Sequence, residues 1–158
     1  MSLPKVANVV GLLQVFVALS MFMTGLVAAF YGDGDAMAFF QASAITFVIG
    51  WSVYLATRFD EDVTTREGFA IVTMAWAATA VFGSLPYLLS GVLDSPIRAL
   101  FEAMSGFTTT GATVFSDIEA LPHGVLLWRS MTHWIGGMGI IVLVIAVLPY
   151  LEIGRAHV

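Results

Sequence analysis

Four long stretches of the chain carry no Asp, Glu, Lys or Arg: Val6 to Gly32, Ala36 to Thr57, Gly68 to Leu93 and Ser130 to Leu151. Each reaches or exceeds the roughly 20 residues a helix needs to cross about 30 Å of hydrocarbon. The pattern therefore predicts four spanning helices. The first, from about Val6 to Tyr31, has Gln14, Ser20 and Thr24 as its few polar residues and runs into the turn signal Gly32-Asp33-Gly34-Asp35. So short a connection makes the first two helices an antiparallel hairpin, and Trp51 and Tyr54 stand near the far end of the second, as an interfacial belt would. Residues 1–57 are expected to form this hairpin. The most charged stretch, 58–67, is expected to be an aqueous loop.

The third helix should run from about Gly68 to Leu89, with Pro86 near its far end, where a lost hydrogen bond matters least. Asp94-Ser95-Pro96 then has the form of a helix start, with Asp94 or Ser95 as cap and Pro96 in the first turn. The apolar run Ile97 to Ser105 is too short to span, and Gly106 is a natural stop. This predicts a re-entrant half-helix. The chain then returns to water through Asp117 and Glu119, and the last helix begins around Pro122 to Gly124 and continues to Leu151. The expected fold class is all-α integral membrane, with four transmembrane helices plus one re-entrant pore half-helix and a filter loop.

Composition agrees: 59% of the 158 residues are hydrophobic and 11% charged, and the mean hydropathy is +0.92, against about 25% charged in soluble domains. A cleaved signal sequence does not fit the first segment, whose apolar run far exceeds an h-region of about 7 to 15 residues and is followed by no Ala-x-Ala site before the Gly32-Asp33-Gly34-Asp35 turn. The absence of cysteine excludes disulfides and thiolate metal sites. No basic patch suggests nucleic acid. An N-terminus inside places Lys5, Arg58 and Arg66 in the cytoplasm against Arg98 and Arg129 outside, a weak positive-inside preference.

Between the half-helix and the last helix stands Phe107-Thr108-Thr109-Thr110-Gly111-Ala112-Thr113-Val114, small, polar and uncharged. Non-helical backbone survives at membrane depth only where protein buries it or it lines a water-filled path. Carbonyls of Thr109, Thr110, Gly111 and Ala112 turned toward a cation would suit potassium, because a ring of carbonyl dipoles replaces its hydration shell without fixed charge. The C-terminus of the half-helix adds about half a negative charge. Gly111 allows backbone angles that a Cβ would penalise. Taken alone, Thr-Gly-Ala-Thr is equally a turn between helices.

Other candidates carry less. Glu102 in the half-helix could brace the loop or attract cations at the mouth, with bracing preferred. Arg129 and His133 share a face of the last helix. Arg129 is expected to snorkel to the interface, and His133 has no partner at metal spacing. Gly136, Gly137 and Gly139 suggest close helix packing ahead of a gating bend. The histidines at 123, 133 and 157 form no His-Glu-x-x-His cluster or nucleophile-base pair, so an enzyme is not expected and no cofactor is implied.

Arg66-Glu67-Gly68-Phe69, Phe101-Glu102-Ala103, Ser105 to Thr113, Leu121-Pro122-His123 and Trp134 to Ile141 resemble the first part of the TrkH-type potassium uptake proteins, in the TrkH, KtrB and HKT superfamily. The resemblance covers nearly the whole chain in order. It implies a leading helix pair followed, over 68–151, by the first of four helix, pore-loop, helix repeats. Thr109, Thr110, Gly111 and Ala112 would then supply one quarter of a potassium filter, mainly through backbone carbonyls, supported by Glu102, Thr108 and Thr113. Glycine at 111, where some plant relatives have serine and favour sodium, fits the potassium pattern.

The resemblance further implies a bacterial inner-membrane protein with a cytoplasmic N-terminus, dimeric when full-length, and served by a cytosolic nucleotide-binding regulatory subunit. The remaining three repeats are missing partners, and with them the gating loop and the basic residue below the filter. Two alternatives stand beside this: a non-conducting structural fragment, and a single-repeat homotetrameric channel. The last residues, 152–158 (Glu-Ile-Gly-Arg-Ala-His-Val), match one reading frame of a common sequencing-adapter oligonucleotide and are expected to be non-native.

Overall fold

The structure, a computed structural model, describes residues 2–57 and 64–147. Most of the loop expected over 58–67, the expected continuation of the last helix over 148–151 and the tail at 152–158 lie outside the described residues. Within them the chain is helical, in the order α1 (Leu3–Tyr31), α2 (Ala36–Ala56), α3 (Thr65–Gly83), α4 (Leu85–Leu89), α5 (Pro96–Phe107) and α6 (His123–Val147). Among the described residues three segments are long and apolar enough to cross a membrane: Leu3–Tyr31, Ala36–Ala56 and Arg66–Leu89. Helix α6, with 25 residues, is also long enough at about 1.5 Å per residue. At 12 residues, α5 covers only about 18 Å and cannot span.

The hairpin of α1 and α2 closes where Gly32 takes a left-handed φ of 77° and returns its amide to Ala28. Small residues bring the two backbones together. A Cβ on Gly11 would lie 2.8 Å from the Gly50 carbonyl oxygen, and one on Gly50 would lie 2.8 Å from that of Gly11. In lipid, where apolar burial does not drive helices together, such close approach is what packing rests on. Polar side chains tie the pair further: Asn8 Nδ2 donates to the Tyr54 carbonyl at 2.7 Å, and Ser43 Oγ to that of Ala18 at 2.8 Å.

Two boundaries differ from expectation. Helix α3 begins at Thr65, inside the expected loop, because Thr64 and Glu67 form a reciprocal capping box. Its apolar continuation does not run unbroken to Leu89: the helix breaks at Ser84, and Pro86 in α4 has no amide for the preceding turn. Helices α3 to α6 converge on a core of Tyr87, Phe107 and Trp128, all essentially inaccessible. Trp128 Nε1 donates to the Gly83 carbonyl at 3.0 Å, which satisfies its one polar atom.

Candidate functional site

Ser95 occupies the N-cap of α5 and Pro96 its first position, but the Ser95 side chain makes no capping hydrogen bond. Helix α5 also runs past the expected stop. Gly106 is helical, and it is glycine because a Cβ there would collide with the Thr132 hydroxyl on α6. The helix ends instead at Thr108. There the amide of Thr109 bonds the Gly106 carbonyl at 2.9 Å and that of Thr110 bonds the Ser105 carbonyl at 3.0 Å. This pair is a Schellman termination, which needs a left-handed residue at its fifth position and usually uses glycine. Thr109 holds that place with φ 56°, among the described residues the one non-glycine at positive φ. A β-branched residue there is unusual enough to call for a reason.

Gly111 is left-handed as well, with φ 77° and, among the described residues, no atom within 4 Å of the position a Cβ would take. The angle, not crowding, demands glycine here. Thr108 to Ala112 are exposed. Among the described residues no hydrogen bond is accepted by the carbonyls of Thr109, Thr110 or Gly111. The Ala112 carbonyl differs, since Ser105 Oγ donates to it at 2.6 Å, so an ion could use only its second lone pair. The hydroxyls of Thr108 and Thr110 pair at 2.8 Å, and Thr108 also donates to the Met104 carbonyl at 2.8 Å.

Glu102 anchors the far side of the loop. Its side chain is 1% exposed; it accepts from Thr113 Oγ1 at 2.9 and 3.0 Å, from the Val114 amide at 2.9 Å and from Arg129 Nε at 2.7 Å. Thr113 Oγ1 in turn receives the Phe115 amide at 3.1 Å. The half-helix, the returning strand of the loop and α6 thus meet at one carboxylate. Arg129, expected to snorkel to the interface, instead turns toward Glu102, because a buried carboxylate without a cation would be costly. That pairing was open to inference, since a lone Glu in the half-helix and a lone Arg in the following apolar helix each need an opposite charge. His133 keeps to its own helix, its Nδ1 lying 2.8 Å from the Arg129 carbonyl oxygen.

The glycines of α6 separate by role. A Cβ on Gly136 would run into the Phe107 carbonyl, whereas among the described residues one on Gly137 would meet only Thr109 Cγ2, at 3.9 Å, and one on Gly139 only Trp76, at 3.8 Å. Gly136 therefore lets α6 cross directly over the end of α5. Two polar clusters went unread in the sequence. Glu67 accepts from Ser2 N and Oγ at 2.8 and 2.9 Å and from Thr64 N and Oγ1 at 3.0 and 2.9 Å, tying the chain start to α3. At the opposite end Asp33 meets His123. The motif Thr64-x-x-Glu67 signals the first cluster; no local pattern signals the second, whose partners are 90 positions apart.

Spanning helices, a half-helix that stops inside the bundle and an unwound loop held by a buried ion pair define an integral membrane protein of the re-entrant pore-loop class. Residues 35–158 match the TrkH family, described as cation transport protein. The chain belongs to that family. It is 42% identical over 156 residues to the Trk system potassium uptake protein TrkH of Halomonas elongata, covering 98% of this chain and 32% of that protein. With the protein of the same name from Escherichia coli K12 it shares 40% identity over 151 residues, covering 94% of this chain and 31% of the relative. The crystal structure of the potassium transporter TrkH from Vibrio parahaemolyticus superposes with a TM-score of 0.90 at 36% identity, over 99% of this chain and 34% of that one. The chain spans about a third of the length of these relatives.

Proposed function

We propose that this chain is the leading portion of a potassium uptake protein of the bacterial inner membrane and supplies one of four walls of its selectivity filter. The supporting observation is the segment Thr109 to Gly111: exposed, unwound by two left-handed residues, and with carbonyls that take no hydrogen bond among the described residues. Carbonyl oxygens left free in this way can replace the water around a potassium ion. Thr109, Thr110 and Gly111 contribute their carbonyls fully, and Ala112 contributes what its bond to Ser105 leaves. Thr108 stiffens the helix end, while Glu102 and Thr113 hold the returning strand.

The N-terminus is cytoplasmic, and the lipid bilayer surrounds the helices. Three further repeats close the pore, and the full-length protein is a homodimer contacting a cytosolic nucleotide-binding subunit. Potassium is the cargo and moves down its electrochemical gradient. About 2.3 kcal/mol per charge per 100 mV corresponds to roughly fiftyfold accumulation, so an inside-negative potential suffices.

The test is rubidium and sodium flux in liposomes holding a full-length protein that carries this segment. Gly111→Ser should lower the preference for potassium-sized ions over sodium. An unchanged ratio would remove the filter assignment. The 158-residue chain alone should give no flux; flux together with crosslinked tetramers would favour a homotetrameric channel instead.

A further inference from the structure

The turn between α1 and α2 lies against the start of α6. Asp33 Oδ2 accepts the His123 backbone amide at 2.8 Å and lies 2.7 Å from His123 Nδ1. It thus caps α6 from a distant part of the chain, since His123 is the first helical residue. Tyr31 stacks on the His123 ring at 4.1 Å between centroids and 6° between planes. In the same turn Asp35 is 5% exposed, and among the described residues neither of its oxygens has a hydrogen-bond partner. A Cβ on Gly124 would strike Asp35 Oδ2, so the carboxylate sits directly against the first turn of α6.

We infer that these residues form a proton-operated clasp, in which Asp33 holds the start of α6 while Asp35, unpaired in the same turn, opposes that hold until it takes up a proton. The two carboxylates share a turn and face opposite conditions. Asp33 gains hydrogen bonds from His123, which hold its carboxyl below the ordinary 3.8. Burial pushes Asp35 above 3.8; its own amide and that of Val125 pull the other way, though neither meets hydrogen-bonding geometry, and the nearby Asp33 charge adds to the rise. Among the described residues, the titratable groups facing these carboxylates are each other and His123, with Tyr31 stacked on the His123 ring.

Folding stability depends on pH wherever a group's affinity for protons differs between the folded and unfolded chain. The Asp35 contribution is fully present below 3.8 and is lost as pH rises through its raised value. That of Asp33 is present above 3.8 and is lost as pH falls through its lowered value. The clasp is therefore tightest in mild acid. Because it holds the limb by which the loop returns to α6, pH on that face of the membrane would set how firmly the loop is held. This last step rests on the filter proposal; the clasp itself does not.

Amide hydrogen exchange of His123 and Leu126, corrected for intrinsic rate, in a full-length protein carrying this segment in micelles tests it without any transport measurement. Protection should rise from pH 7 into mild acid and fall again below 3.8. Asp35→Asn should slow exchange at pH 7 at least about fivefold, because it removes a buried charge, whereas Asp33→Ala should speed it about five- to thirtyfold through loss of a cap. His123→Gln keeps the backbone donor and removes the imidazole, and the Asp35 step should survive it. Carboxyl carbon shifts of Asp33 and Asp35 in the unsubstituted chain give the same answer if a variant fails to fold. A flat protection profile, faster exchange in Asp35→Asn, or titration of Asp35 at or below 3.8 would overturn the clasp, and would leave the filter proposal standing.

Discussion

Replacing Glu102 by Ala should be among the most damaging single changes in this chain. The carboxylate accepts two neutral donors, Thr113 Oγ1 and the Val114 amide, and one charged donor, Arg129 Nε, at distances from 2.7 to 3.0 Å. Neutral bonds contribute about 1 kcal/mol each and a charge-assisted one about 1.5–3. Breaking a buried pair by removing one partner costs about 3–5 kcal/mol, because the other charge stays behind. These figures overlap, since both count the loss at Arg129, whose side chain retains 18% of its surface. We therefore expect the lower part of the range, about 3 kcal/mol.

Glu102→Gln keeps the shape and one acceptor but also leaves Arg129 without its counter-charge, and should cost only somewhat less, about 2 kcal/mol. The decisive measurement is a double-mutant cycle with Arg129→Gln, followed by tryptophan fluorescence during unfolding in a denaturing detergent. The coupling between Glu102 and Arg129 should be about 1–3 kcal/mol. Additive costs within about 0.5 kcal/mol would show that the ion pair does not hold the loop, and the account of Arg129 would have to be abandoned.

Gly136→Ala should destabilise by about 1–3 kcal/mol, because the new methyl meets the Phe107 carbonyl, while Gly137→Ala should be nearly neutral; thermal unfolding of both distinguishes packing from hinge. Thr109→Gly relieves a left-handed β-branched residue and should raise stability by up to about 1 kcal/mol in the same assay; a loss would mean that the threonine side chain is needed for the turn. Glu67→Ala removes a capping box together with the bonds from Ser2 and should cost about 1–2 kcal/mol, read as faster amide exchange at the start of α3.

The architecture was largely legible in the sequence because lipid imposes a local rule. A spanning helix must be long, apolar and internally hydrogen-bonded, and each condition shows in a run of neighbouring residues. That is why the segments Val6 to Gly32 and Ala36 to Thr57 could be placed closely, and why the short run after Pro96 stood out as a half-helix. The candidate loop was legible for a related reason: a polar, glycine-bearing stretch between apolar ones has few places to go. Local signals misled where a glycine served a neighbour. Gly106 looked like a helix stop, but it is small to admit Thr132, and the helix ends at a threonine.

Sequence alone thus determined the helices, the half-helix and the uncharged loop, since these follow from length, polarity and turn chemistry along contiguous residues. Only the tertiary structure decided that Glu102, Thr113 and Arg129 form one network, that Gly136 rather than Gly137 marks the crossing over α5, and that Asp33 caps a helix starting at His123. Each joins residues distant in the chain, and their meeting depends on how the helices cross. Hydropathy sets how long a helix is, whereas crossing geometry is set by which small residues let two backbones touch.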